Sequence, residues 1–167
     1  MASRPKYSLP ERERRWLVDA TAAAPLLSGT PQCILDRYLD DTRLRLRRIT
    51  AADGGEVYKL CKKYGDLPPG AESITNLYLD TGEFARLAAL PGWQVDKQRF
   101  RVHEGSLDVY RSEDDSLRVF EHDFIDAASA AAYRPPAFTE REITADPDFT
   151  GAALARRFGR HYPQAER

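Results

Sequence analysis

Glu11, Glu13 and Arg15 occupy alternate positions in the stretch SLPERERRWLV, from Ser8 to Val18. Side chains on a β-strand alternate faces, so a strand here would aim two carboxylates and a guanidinium at one place. The pattern recurs. TRLRLRRI puts Arg43, Arg45 and Arg47 on one face, opposite Leu44 and Leu46, and VYKLCKK groups Lys59, Cys61 and Lys63. VDKQRFRVH groups Lys97, Arg99 and Arg101 opposite Phe100 and Val102. SLDVY sets Asp108 against Leu107 and Val109, and LRVFEHDF sets Glu121 and Asp123 against Phe120 and Phe124. Any one of these reads as an amphipathic strand with its charged face in water. Several together weaken that reading, because solvated faces mix signs and interleave Thr, Ser and Gln, whereas here whole strands carry one sign.

If the charged faces line the inside of a closed barrel, the lumen holds eight cations: Arg15, Arg45, Arg47, Lys59, Lys63, Lys97, Arg99 and Arg101. It also holds five carboxylates: Glu11, Glu13, Asp108, Glu121 and Asp123. Small barrels normally fill their interior with apolar side chains. Enclosing unpaired ions costs on the order of several kcal/mol each, so such a lumen stays wet or holds a ligand of complementary charge. Clustered carboxylates suit a hard divalent cation such as Mg²⁺ or Mn²⁺. The surplus cations suit a compact polyanion, and phosphate oxygens bridge metal on one side and Arg or Lys on the other. A metal-bound di- or triphosphate fits that inventory. An ordinary β-domain with a solvated charged face remains the alternative, and it predicts no affinity for such a ligand.

Strand-like alternation is expected near Glu11–Val18, Ile34–Leu39, Arg43–Ile49, Glu56–Lys63, Ser73–Leu79, Trp93–His103, Ser106–Arg111 and Leu117–Phe124. Turn residues punctuate the series, and ADGGE and HEGS predict hairpins in which Gly supplies a positive φ. DTGEFARLAALPG predicts a helix capped by Asp80 or Thr81 and stopped at Pro91-Gly92. DFTGAALARRFGRHY predicts a C-terminal helix with Leu154 and Phe158 four apart, and IDAASAAAY a turn or two. The expectation is a mainly β, α+β fold: an eight-stranded antiparallel closed barrel with a few flanking helices.

The chain has 167 residues, enough for one core, so a single domain over 1–167 with its core at about 8–158 is expected. Lys plus Arg number 25 and Asp plus Glu 26, a net charge of −1 that does not advertise DNA or anionic-membrane binding. Cys33 and Cys61 lie far apart, without zinc or disulfide spacing, which predicts reduced thiols in a cytoplasm. No apolar run approaches the roughly 18 residues that cross a bilayer, and MASRPKYSLPERE lacks the apolar centre of a secretory signal. A cytoplasmic monomer or homodimer is the expectation. His103, His122 and His161 share no spacing, so surface histidines are expected; Trp16 and Trp93 are expected to pack the barrel exterior under helices. No Gly-rich phosphate loop is present, so phosphate binding would rest on side chains.

The charged motifs resemble, in order, those of the CYTH superfamily, the triphosphate tunnel metalloenzymes, as a divergent bacterial-type member. ERERR resembles the family's E-x-E-x-K strand with Arg15 for Lys, and LRLRR its paired-arginine strand, giving Arg45 and Arg47. LCKK is similar to its T-x-K strand, with Cys61 for Thr and Lys63 as the phosphate lysine. VDKQRFR resembles the K-x-R strand, LDVY the V-D-x-F strand, and VFEHDF the A-E-x-E-F strand with Asp123 for the second Glu. EITADPDFTGAALA is similar to the closing segment, so the resemblance runs from Glu11 to about Ala155.

The resemblance implies a tunnel that binds triphosphates with Mg²⁺ or Mn²⁺ at its carboxylates. Family members include inorganic, thiamine and RNA triphosphatases, polyphosphate polymerases and class IV adenylate cyclases. It implies a metal-dependent triphosphatase acting on inorganic triphosphate, with metal on Glu11, Glu13, Glu121, Asp123 and Asp108. Phosphates would meet Arg15, Arg45, Arg47, Lys59, Lys63, Lys97, Arg99 and Arg101, and Glu11, Glu13, Arg15 and Lys63 would stand nearest the chemistry. Two departures bear on this. The family's R-x-E-x-E strand is replaced by SITNLYL, offering Ser73, Thr75, Asn76 and Tyr78, so that acidic wall is expected to be missing. Arg15 for Lys adds a bidentate fork but removes an amine that could deprotonate. A non-catalytic receptor for polyphosphate or a nucleotide is the alternative, and a thiamine triphosphatase or cyclase-type member a further one.

Overall fold

The computed structural model describes residues 5–65, 71–113 and 115–163. Ten strands form one antiparallel sheet: β1 (Leu9–Glu11), β2 (Glu13–Leu17), β3 (Gln32–Leu39), β4 (Leu44–Thr50), β5 (Glu56–Lys63), β6 (Glu72–Leu79), β7 (Gly92–Val102), β8 (Gly105–Arg111), β9 (Ser116–Asp123) and β10 (Arg160–Tyr162). Their order is β1-β6-β5-β4-β3-β7-β8-β9-β2, with β10 beside β7.

β1 and β2 are consecutive pieces of one segment, interrupted at Arg12. β1 pairs with β6 and β2 with β9, so this segment joins the two ends of the sheet into a nearly closed barrel. Counted as one strand they give the expected eight; β10 is a short addition. The β1–β6 seam is brief, from Leu9 opposite Ile74 to Glu11 opposite Glu72. Past Arg12 the chain's C-terminal return covers the other edge of β2. Leu17 N donates to Arg141 O (2.9 Å), Glu140 N to Leu17 O (2.8 Å) and Ile143 N to Arg15 O (2.8 Å). Arg14, pointing outward, locks that return with a fork onto Glu142 at 2.8 and 2.6 Å.

The β4–β5 turn uses Gly54 at φ 84°, as the sequence leads one to expect. In the β7–β8 turn the positive φ falls on His103 instead (51°). Gly105 is needed there for another reason: a Cβ would stand 2.4 Å from Glu121 O and 2.7 Å from the Phe120 ring.

Among the described residues four helices flank the sheet: α1 (Ala20–Ala23), α2 (Thr81–Ala88), α3 (Ala127–Ala132) and α4 (Gly151–Phe158). α2 begins with a capping box in which Asp80 accepts from Glu83 N and Glu83 accepts from Asp80 N, satisfying two otherwise orphaned donors. α1 has no signal beyond its Asp19 cap and was not expected. No helix among the described residues is long and apolar enough to cross a membrane.

Apolar side chains pack in two places. Outside the barrel, Trp16, Phe100, Leu107, Val109 and Phe120 lie under α1 and the Tyr133 and Phe138 rings. The second cluster lies inside. Val95, Tyr110 and Val119 share their faces with Lys97, Asp108 and Glu121, so they point inward, and α4 buries Leu154, Ala155 and Phe158 against them. α4 therefore stoppers one end of the barrel, and charge occupies the rest.

Candidate functional site

A cavity of about 890 Å³ occupies the barrel interior. Its wall includes Glu11, Glu13, Arg15, Arg45, Arg47, Lys63, Lys97, Arg99, Glu121 and Asp123, which strand alternation brings together from six strands. The register explains the arrangement. Glu11 faces Glu72 across the β1–β6 seam, Glu13 faces Asp123 and Arg15 faces Glu121 across β2–β9, and Arg99 faces Asp108 across β7–β8.

Two pairs of cations are braced from behind by buried aspartates. Arg47 donates from Nε and Nη2 to the Asp36 oxygens at 2.6 and 2.7 Å, and Arg45 Nε lies 3.7 Å from Asp36. Burial alone would raise the Asp36 pKa, but Arg47 and Arg45 hold it well below the usual carboxylate range. On the other wall Arg99 donates from Nε and Nη2 to Asp108, both at 2.6 Å, and Nη2 also reaches Glu121. Lys97 bonds Asp108 and stands 3.2 Å from the Tyr110 hydroxyl. Burial pulls the Lys97 pKa down, against the opposing pull of Asp108 and Glu121. For Glu121 burial loses: Lys97, Arg99 and Arg15 together depress its pKa.

The third corner is acidic. Lys63 Nζ sits among Glu11 (2.8 Å), Glu72 (3.2 Å) and Glu13 (3.6 Å). Burial opposes the ammonium, yet Glu13 and Glu11 raise its pKa. The Glu13 pKa is raised by burial and by the neighbouring Glu121 charge, and that of Asp123 by burial, Glu121 and Glu11. Arg15 Nε lies 3.9 Å from Glu13, and its own backbone N–H is held by the Thr144 hydroxyl at 2.9 Å.

Three expected site residues stand elsewhere. Lys59 lies away from the cavity wall, its Nζ 4.9 Å from the centre of the exposed Tyr78 ring. Arg101 has the right parity but lies past the barrel rim and is exposed. Asp108 has no accessible surface, and both its oxygens are taken by Lys97 and Arg99. It braces cations and has no oxygen left for an ion. Trp93 lines the cavity, 5.1 Å from the His161 ring, rather than packing outside, while Trp16 is exterior as expected.

Two carboxylates escaped the sequence reading. Asp36 is the lone carboxylate of β3, next to the oppositely facing Arg37, and only its register partner Arg47 reveals its role. Glu72 belongs to β6, whose strand was expected to begin one residue later. Its inward face is Glu72, Ile74, Asn76 and Tyr78, so the acidic wall is reduced to one carboxylate rather than lost. These additions also correct the expected surplus of cations: the lumen is nearly balanced.

The donors of the acidic corner are all carboxylate oxygens, the chemistry that Mg²⁺ and Mn²⁺ prefer over softer metals. They fit such an ion by type. Among the described residues no group of three acidic, His or Cys side chains is arranged as a ready-made cage, and the ammonium of Lys63 occupies the centre of the Glu11–Glu13–Glu72 set.

No protein-family model and no curated protein matches the sequence. Solved structures do. The inorganic triphosphatase NE1496 is similar over 88% of this chain and 95% of its own, with 24% identity and a TM-score of 0.54. A provisionally assigned adenylate cyclase from Bacillus halodurans is similar over 82% of this chain and 97% of its own, with 17% identity and a TM-score of 0.52. The chain shares the fold of these two structures. Inside this barrel the ionic side chains of the charged strands converge on one cavity.

Proposed function

We propose that the protein is a divalent-metal-dependent triphosphatase whose substrate is inorganic triphosphate. The observation that carries this reading is the convergence of two braced cation pairs and an acidic corner on one cavity inside the tunnel. The similarity to the inorganic triphosphatase NE1496 supports it. Arg45 and Arg47 on one wall and Lys97 and Arg99 on the other hold the phosphate chain between them, with Arg15 closing the span. Glu11, Glu13, Glu121 and Asp123 would hold Mg²⁺ or Mn²⁺, which when bound neutralises phosphate oxygens and polarises the scissile bond. Water attacks the terminal phosphorus in line with the leaving oxygen, a carboxylate of the acidic corner accepting its proton. The guanidinium groups stabilise the charge that develops on the leaving diphosphate.

The test is phosphate release from tripolyphosphate with Mg²⁺ or Mn²⁺. Activity in the parent protein that collapses in Glu11→Ala and Glu13→Ala is expected. No release from tripolyphosphate, ATP or thiamine triphosphate with either metal would refute catalysis. One observation favours a second reading, a receptor that binds polyphosphate without turnover: Lys63 ties up Glu11, Glu13 and Glu72. Tight binding without release would select it.

A further inference from the structure

We propose that Asp36 is a positioning residue for polyphosphate binding, setting which edge of Arg47 faces the tunnel; the inference rests on the function proposed above. Asp36 is 2% exposed, so it does not itself meet a ligand in the cavity. Its two oxygens take Nε and Nη2 of Arg47 side-on, and Nη1 has no hydrogen-bond partner among the described residues. Arg47 lines the cavity, so the edge left unbonded is available to a phosphate oxygen. Arg45 Nε lies 3.7 Å from the same carboxylate, an ion pair without a hydrogen bond, so the clamp is on Arg47 and Arg45 is held beside it by charge. A guanidinium on a flexible stem loses rotamer entropy when it binds a ligand; one already clamped has lost it beforehand.

The geometry and the bare electrostatics predict opposite signs, and that makes the idea testable. Asp36 is a negative charge a few ångströms from where a polyanion would lie. If it acted only as a charge, removing it would tighten polyanion binding. If it positions Arg47, removing it weakens binding although the tunnel becomes more positive. Asn in its place keeps the shape but turns a donor toward Arg47, so one leg of the fork is lost.

Isothermal titration of tripolyphosphate with Mg²⁺ into the intact protein decides between them. Asp36→Asn is expected to bind about tenfold or more weakly, the worth of one hydrogen bond to a charged group. Equal or tighter binding by folded Asp36→Asn overturns the inference. A purely structural role would lower the melting temperature while leaving the affinity of the folded protein intact, and that result also overturns it. Should Asp36→Asn fail to fold, Arg47→Lys decides: it keeps the charge and loses the fork, so a loss of similar size is expected and unchanged affinity refutes positioning. Absence of binding by the parent protein is a different failure, which sinks the proposed function and the inference with it.

Discussion

Lys63→Met should make the metal-free tunnel bind Mn²⁺ more tightly. The ammonium now contacts Glu72 at 3.2 Å, Glu11 at 2.8 Å and Glu13 at 3.6 Å, all within ion-pair range. A divalent cation seeking those oxygens must first displace it. Each contact is about a third exposed, so solvent screening applies and a partly exposed pair is worth roughly 0.2–1 kcal/mol. Three of them give about 0.6–3 kcal/mol, which is roughly a threefold to hundredfold gain in affinity once the rival cation is gone. Met keeps most of the stem's length and its apolar contacts without the charge. The assay is a titration of Mn²⁺ into metal-free protein without substrate, following the electron paramagnetic resonance signal of the free ion. Unchanged or weaker binding by Lys63→Met would show that Lys63 does not compete for these carboxylates, and that the metal reading must look to Glu121 and Asp123 alone.

Asp108→Ala leaves Lys97 and Arg99 without their shared partner in the buried wall, and urea unfolding should show a loss of about 3 kcal/mol or more. Acid stability should depend on Asp36. Its folded pKa lies below the unfolded value near 3.9, so its contribution is present above about pH 4 and is lost as pH falls toward the folded value. The melting temperature of Asp36→Asn should therefore change less with pH below about 4 than that of the parent. Thiol labelling should show one fast and one slow cysteine. Cys33 is exposed, whereas Cys61 lines the cavity at 1% exposure with its thiol pKa raised by burial, and tripolyphosphate should slow the second phase further.

Alternation in single strands carried most of the fold. Arg45 and Arg47, or Lys97 and Arg99, declare their face without help from the rest of the chain, because period two is a local property. What alternation could not show was where the barrel ends. Lys59 and Arg101 obey the same parity as their neighbours but lie beyond the cavity wall, and the position of that wall depends on strand tilt and on the short β1–β6 seam. Nor could it show pairing across strands. Asp36 reads as a single carboxylate in a largely apolar strand until the β3–β4 register sets it against Arg47. The inward apolar cluster was hidden for a related reason: Val95 and Val119 share parity with Lys97 and Glu121, but only the packing of α4 against them shows that this end of the barrel is filled.

Charge balance within the tunnel bears on how the ligand must arrive. Among the described residues eight cations (Arg15, Arg43, Arg45, Arg47, Lys63, Lys97, Arg99 and Arg156) face or adjoin nine carboxylates (Glu11, Glu13, Asp36, Asp40, Asp41, Glu72, Asp108, Glu121 and Asp123), a net of −1. Such a lumen compensates itself, so the protein can fold without a ligand despite burying so many ions. The same balance works against a bare polyanion. Tripolyphosphate would have to break contacts such as Arg99 with Glu121 and would add several negative charges to an interior that is not positive. A divalent cation reverses that arithmetic, satisfying the freed carboxylates and neutralising phosphate oxygens at once. Tripolyphosphate affinity should accordingly be weak in the presence of a chelator and rise steeply as Mg²⁺ or Mn²⁺ is restored, whether or not turnover follows. Tight binding in chelator would mean that the cation pairs open more readily than their clamped geometry implies, and the metal would then serve the chemistry alone.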